Sequence, residues 1–208
     1  HIQSAVTANI DIGQTNGITD TGQAFFDVSP AIVQGVGYSN MTGNSVKVVS
    51  CAIFGQVKQM SAAQHPMRIK ICLCKSLGQP QTMTSIQSAN KLFDVNPLTS
   101  VTDYNSSRNV NYFKDFKIIK TQYVYLMPDP TSGELIIKNF KFLMKMTLHM
   151  KWNQNTTTLT DGQLFIACFS DSGNSSTSVA ATNTQLPVLK INSGATLQMY
   201  SKFYYVDN

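Results

Sequence analysis

The sequence predicts an all-β fold, a single eight-stranded antiparallel jelly-roll sandwich with at most one short helix in a loop, and three observations carry that expectation. The first is Lys138–Trp152, KNFKFLMKMTLHMKW, where the alternate positions Phe140, Phe142, Met144, Met146, Leu148, Met150 and Trp152 are all apolar. The positions between them, Asn139, Lys141, Leu143, Lys145, Thr147, His149 and Lys151, are almost all polar or basic. Period-two alternation means a strand with one buried and one wet face, because a helix would scatter the lysines around its circumference. The second is length. At about fifteen residues this strand far exceeds the usual five or six, and its apolar face needs a second sheet to cover it. The third is the number of strand segments, about eight, with turns between them, a long mid-chain excursion and no regular repeat, which suits a jelly roll better than a propeller.

In chain order, residues 1–44 read as an N-terminal arm with short strands: Gln3–Ile12 alternates weakly, Gly13–Gly22 is turn-rich, and Phe25, Phe26, Val28 and Ile32 form an apolar patch around Pro30. The shell of the sandwich is expected over 45–208. Ser45–Met60 is its first strong strand, with Val46, Val48, Ala52 and Phe54 on one face and Val49, Cys51, Ile53 and Val57 on the other, so that both faces look covered for part of its length. Met67–Lys75 follows, with Met67, Ile69, Ile71 and Leu73 on one side. Within the excursion Ser76–Asn111, Thr82–Phe93 has helical spacing at Ile86, Ala89, Leu92 and Phe93, with Thr84 as N-cap. Arg108–Leu126 returns to strand, Pro128–Gly133 is a turn, and the long strand comes next. Gln154–Asp161 is a polar loop ending in Asp161-Gly162, a hairpin signal. Gln163–Phe169 is a short apolar strand, Ser170–Gln185 a polar loop, and Leu186–Ile191 and Ala195–Val206 are the last strands.

The chain has 208 residues, 42% hydrophobic and 13% charged, enough for one sizeable core. Its net charge of +5 comes mostly from lysine and favours contact with a polyanion. Cys51, Cys72, Cys74 and Cys168 all lie in apolar runs without CxxC spacing, which points to buried free thiols and a reducing compartment. No apolar run approaches the roughly twenty residues of a membrane span, so no membrane insertion is expected.

Catalytic chemistry finds little support. His1, His65 and His149 are scattered, the carboxylates are few and dispersed, and no nucleophile elbow, zinc-protease, phosphate-loop or dinucleotide motif occurs. The expectation is no catalytic residue, no metal site and no cofactor. Basic residues interleaved with aromatics are the stronger signal. Arg108, Lys114, Lys117 and Lys120 accompany Tyr112, Phe113 and Phe116, while Lys138, Lys141, Lys145 and Lys151 line the long strand. Clustered cations neutralise phosphates and exposed aromatics stack on unpaired bases, so these eight are the nucleic-acid-binding candidates. A lectin-like or adhesin-like β-sandwich that binds carbohydrate or a receptor is the alternative, and would need tryptophan or convergent acids at its loops.

The succession of segments also resembles small single-jelly-roll viral capsid proteins. GNSVKVVSCAIFGQV looks like the first core strand of such coats, which often enter it with a Gly-x-x-Val run. The helix-bearing loop after MRIKICLCK, the Arg followed by FKDFKIIK, the KNFKF strand start, the TDG turn before LFIAC and the terminal FYYVD are similar to capsid proteins of circular single-stranded DNA viruses that encode a Rep protein. They are also similar to satellite plant virus coats such as that of tobacco necrosis. The resemblance covers about residues 40–208. It implies a homo-oligomer closing into an icosahedral shell, a packaged single-stranded nucleic acid genome (most simply circular DNA), a host receptor as a further partner, and a virion assembled inside the host cell. It matches Arg108, Lys117 and Lys120 to the family's basic segment and Lys138 and Lys141 to the next one. It also implies a basic N-terminal arm, which these 208 residues do not contain.

Overall fold

The structure, a computed structural model, describes residues 2–12, 23–30, 32, 35, 43–59, 66–97, 102–127, 136–154, 156, 158–170 and 195–207. The long alternating segment is present as β6 (Ile137–Trp152) and runs antiparallel to β3 (Ser45–Gln59) along nearly its whole length. The other strands are β1 (Ile2–Ile12), β2 (Gln23–Asp27), β4 (Met67–Ser76), β5 (Phe116–Leu126), the three-residue β7 (Leu159–Asp161), β8 (Leu164–Ser170) and β9 (Ala195–Asp207). They form a five-stranded sheet ordered β1-β9-β3-β6-β7 and a four-stranded sheet ordered β2-β8-β4-β5, with every pairing antiparallel. The chain passes between the sheets at almost every connection, which is the wrapped double Greek key of a jelly roll.

Two features of this topology differ from the sequence expectation. The first jelly-roll strand is β1 and not the segment starting at Ser45, since β1 and β2 lie at the edges of the two sheets. Gln3–Ile12 alternates weakly because a register shift between Thr7 and Ile10, in its pairing with β9, interrupts the period of two. β3 is also not covered on both faces. A register shift between Val48 and Ser50 moves the inward phase by one residue, so Val46, Val48, Cys51, Ile53 and Val57 all reach the same core.

Between the sheets, Ile53, Phe142, Met150, Trp152, Leu197 and Phe203 meet Met67, Ile69, Ile71, Leu73, Leu126 and Ile166. The other face of the four-stranded sheet carries a second core. Cys72, Cys74, Phe165, Ala167 and Phe169 are covered there by Ile86, Leu92 and Phe93 from the 77–115 excursion. Gln163 ties the layers together: its Nε2 donates to Asp27 Oδ2 (2.7 Å) and to Gln81 O (3.0 Å), and its Oε1 accepts from Gln81 N (3.0 Å).

The helix of this excursion is shorter than its spacing suggests. It spans Met83–Ser88 as α1, capped by Thr82 rather than Thr84, with Thr82 Oγ1 accepting from Ser85 N at 3.2 Å. It stops well before Asn96-Pro97, because Asn90 takes a left-handed φ of 48° while Asn90 N donates to Gln87 O and Lys91 N to Ile86 O. Asp161-Gly162 is likewise not a hairpin turn. It lies between β7, which pairs with β6, and β8, which pairs with β2 and β4, and so carries the chain from one sheet to the other. The predicted strand 186–191, the polar loop 171–185 and the turn 128–133 lie outside the described residues.

All four cysteines are free and buried, as their apolar settings imply. Burial pushes the Cys51 thiol up to about 12 and holds Cys72, Cys74 and Cys168 above the ordinary thiol range.

Candidate nucleic-acid interface

The outward face of the five-stranded sheet is a basic surface that the described strands assemble. Alternation on β6 turns Lys141, Leu143, Lys145, Thr147, His149 and Lys151 outward while Phe140, Phe142, Leu148, Met150 and Trp152 are buried. Register then decides the neighbours. Lys141 pairs across β3 with Phe54 and, one strand further, Tyr200; Leu143 pairs with Ala52 and Lys202; Lys145 pairs with Ser50 and Tyr204. His149 stands opposite Lys47. Residues 45–58 of β3, 139–151 of β6 and 198–206 of β9 contain no aspartate or glutamate, so the central field of this face is positive throughout. Lys151 lies at its margin, in register with Asp161 of β7.

Three of the eight sequence candidates, Lys141, Lys145 and Lys151, thus share one face. Lys138 is exposed at the start of the same strand, opposite Val57, in the inward phase. The remaining four lie on β5 of the other sheet or in the segment leading into it. Lys117 and Lys120 are exposed on β5, an edge strand, in register with Lys75 and Leu73. Lys114 is exposed just before it. Arg108 is engaged locally: its guanidinium donates to Phe116 O and lies 4.2 Å from the centroid of the Phe113 ring, which fastens the 3-10 turn Val110–Tyr112 to the start of β5. The eight therefore share no single surface: three line the outward face of the five-stranded sheet, Lys138 lies out of phase at the start of the same strand, and four lie on β5 or in the segment before it.

Sequence reasoning passed over Lys47, Lys202, Phe54, Tyr200 and Tyr204, which complete the field around Lys141 and Lys145. The terminal FYYVD is rich in aromatics, but only the period-two phase of β9 separates buried Phe203 and Tyr205 from Tyr200 and Tyr204, which are 41% and 39% exposed. Phe54 stacks on Tyr200 with centroids 5.1 Å apart and an interplanar angle of 20°, and beside them Gln56 Nε2 donates to Gln198 Oε1 at 2.9 Å. Two hollows open along this line. One, of about 810 Å³, is flanked on this face by Gln56, Lys141, Gln198 and Tyr200 and reaches inward past Phe140 and Met199 to Gln122 of β5; the other, of about 480 Å³, is flanked by Ala52, Leu143, Lys145, Lys202 and Tyr204.

Lys70 behaves differently from all of these. Lys70 on β4 is only 6% exposed, with its amine 4.1 Å from the Phe93 ring centroid and 5.5 Å from that of Phe169, and it donates to Ser106 O at 3.3 Å. It pins the excursion to the sheet. Desolvation lowers its pKa, opposed by the Coulombic pull of Cys72 and Asp103. The unfolded chain therefore holds this proton more tightly than the folded one, and stability rises with pH between the depressed folded pKa and the ordinary 10.5. Lys70→Met is expected to remove that rise. Urea titrations from neutral pH to about pH 10.5, made with and without Lys70→Met in a Cys72→Ala background because the Cys72 thiol is coupled to the Lys70 charge, check it, since the titration of the other three thiols cancels in the difference. Parallel curves would show that the amine is not desolvated as the cage implies.

Among the described residues no group of three or more His, Cys, Asp or Glu side chains is placed to hold a metal ion, and no helix is long and apolar enough to cross a membrane. The chain matches no protein-family model and no curated protein. Among solved structures it aligns with the crystal structure of the infectious bursal disease virus VP2 subviral particle over 100% of this chain and 42% of that one, at 11% identity and a TM-score of 0.16. The chain thus spans less than half the length of that viral protein, and a likeness at this level carries no argument.

Proposed function

We propose that this chain is the coat protein of a small virus, which self-assembles into a closed icosahedral shell and packages a single-stranded nucleic acid genome, with circular DNA as the first cargo to test. The observation that carries this reading is the lysine- and tyrosine-bearing face of the five-stranded sheet on a jelly-roll sandwich, whose central stretches 45–58, 139–151 and 198–206 contain no acid. Facing inward in a shell, such a surface neutralises phosphates without reading sequence. Each subunit adds only a few cations, and the affinity comes from many copies held in register by closed symmetry. Subunit contacts are assigned to the opposite side, where Tyr123, Tyr125 and Met127 at the β5 edge and Val110 and Phe113 in the excursion are exposed. Apolar side chains on an edge strand are what a neighbouring copy would cover. The proposed place of the protein is the virion, and its chemistry needs no catalytic group or cofactor.

Electron microscopy of the purified chain, with the ratio of absorbance at 260 and 280 nm, tests this. Uniform closed particles are expected, with nucleic-acid absorbance that falls as salt rises. A monomer at every concentration tried would overturn the reading and turn attention to carbohydrate or receptor binding.

A further inference from the structure

We infer that the trough along β3 on the outward face of the five-stranded sheet is a binding site for single-stranded nucleic acid, with unpaired bases stacking on Tyr200 and Tyr204 and phosphates held by the flanking lysines. This deepens the packaging reading and rests on it for biological context, though not for its physical argument.

The floor of the trough is low because the central strand contributes the small residues Ser50 and Ala52 there, while its neighbours contribute long ones. Lys141 and Lys145 rise from β6 on one side and Lys202 from β9 on the other. Phe54 stands between the two hollows, and its stacking on Tyr200 fixes that ring as a platform instead of leaving it free to rotate away. Tyr204 offers a second platform four residues further along β9, about 13 Å away at the rise of an extended strand.

Aromatic rings this exposed on a stable sheet face call for a covering partner, and the charge around them selects its sign. Every ionised group on the described central strands of this face is a cation. The partner is therefore both anionic and able to present flat apolar rings, which describes a single strand with splayed bases. A duplex keeps its base faces stacked internally and would meet only the lysines. At the far end of the trough the Gln56–Gln198 hydrogen bond uses one donor and one acceptor, leaving Gln56 Oε1 and Gln198 Nε2 to meet the edge of any base. Recognition would thus tolerate sequence.

The test is fluorescence anisotropy of the full chain with a labelled homothymidine oligonucleotide of about ten nucleotides, at several salt concentrations, alongside a homouridine strand and a duplex of equal length. Tyr200→Ala and Tyr204→Ala are each expected to weaken single-strand binding by roughly 5- to 150-fold at fixed salt, with the salt slope unchanged. Lys141→Gln and Lys202→Gln are expected to reduce the slope by about 0.7 each. Duplex should bind more weakly than either strand, and a difference between thymidine and uridine strands would identify the preferred cargo. Unchanged affinity in the double tyrosine variant, with its thermal unfolding intact, would overturn the site, as would equal binding of duplex and single strand. Particles in the microscope with unaffected tyrosine variants would sink the trough and spare the capsid reading. Tyrosine-dependent binding by a chain that never assembles would do the reverse.

Discussion

Trp152→Ala is expected to lower the free energy of unfolding by about 3–5 kcal/mol, a large share of the ~5–15 kcal/mol that holds a domain together. The indole is 2% exposed and closes one end of the core between the sheets. It occupies the last position of β6, in register with Leu159 of β7, and its backbone N–H donates to Asn44 O at 2.8 Å. Its site is thus fixed by β6, by the segment leading into β3 and by β7, and these cannot collapse together to fill the space the ring leaves. Trp152→Phe should retain most of the stability, since it keeps an aromatic ring in the same packing environment. Because Trp152 is the sole tryptophan, urea unfolding of these variants must be followed by circular dichroism rather than fluorescence. A loss below about 1 kcal/mol, the ordinary cost of an average substitution, would mean that this end of the sandwich is not packed as described.

Gly162→Ala should cost about 2–5 kcal/mol, combining left-handed strain with overpacking. Gly162 has a φ of 82°, and a Cβ there would run into His149 O and lie 3.0 Å from Met150 Cα. Both obstacles are β6 backbone, which cannot swing aside like the tip of a side chain. The local geometry is already taken up by Asp161 Oδ1, which accepts from Gly162 N at 2.7 Å while the chain leaves one sheet for the other. Gly78→Ala serves as the control, since nothing lies within 4 Å of its added Cβ, and it should stay within about 0.5 kcal/mol of the parent. Tryptophan fluorescence in urea reads both. Equal midpoints for the two variants would show that the corner at Gly162 is not as tight as its contacts require.

Why some of this was legible in the sequence and some was not follows from the range of the interactions involved. The two faces of β6 could be read directly, because alternation of Cβ direction is a property of three consecutive residues. The same rule misled at β3, where the shift at Val48–Ser50 inverts the phase halfway and makes one buried face look like two. It was nearly silent at β1, whose place in the fold comes from pairing with the far end of the chain. The helix start was misplaced by two residues because Thr82 and Thr84 are equally good caps, and the Schellman turn at Asn90 has no strong sequence mark. Asp161-Gly162 announced a sharp turn correctly, but dipeptide chemistry does not say which strand the chain joins next.

The candidate site divides along the same line. The sequence by itself determined the all-β class, the excess of lysine, the wet face of each long strand and the burial of the cysteines, since composition and period-two patterning are local. Only the tertiary structure decided that Lys141 and Lys145 share a face with Lys202, Phe54 and the two exposed tyrosines, and that Lys117 and Lys120 belong to the opposite sheet, with Arg108 and Lys114 in the segment leading into it. Those neighbours are set by backbone hydrogen bonds between strands far apart in the chain. A one-residue change of register would turn every side chain of a strand to the other face. The register is held by burying Phe142, Leu148 and Phe203 in the common core, so packing on the inner face arranges the charges on the outer one.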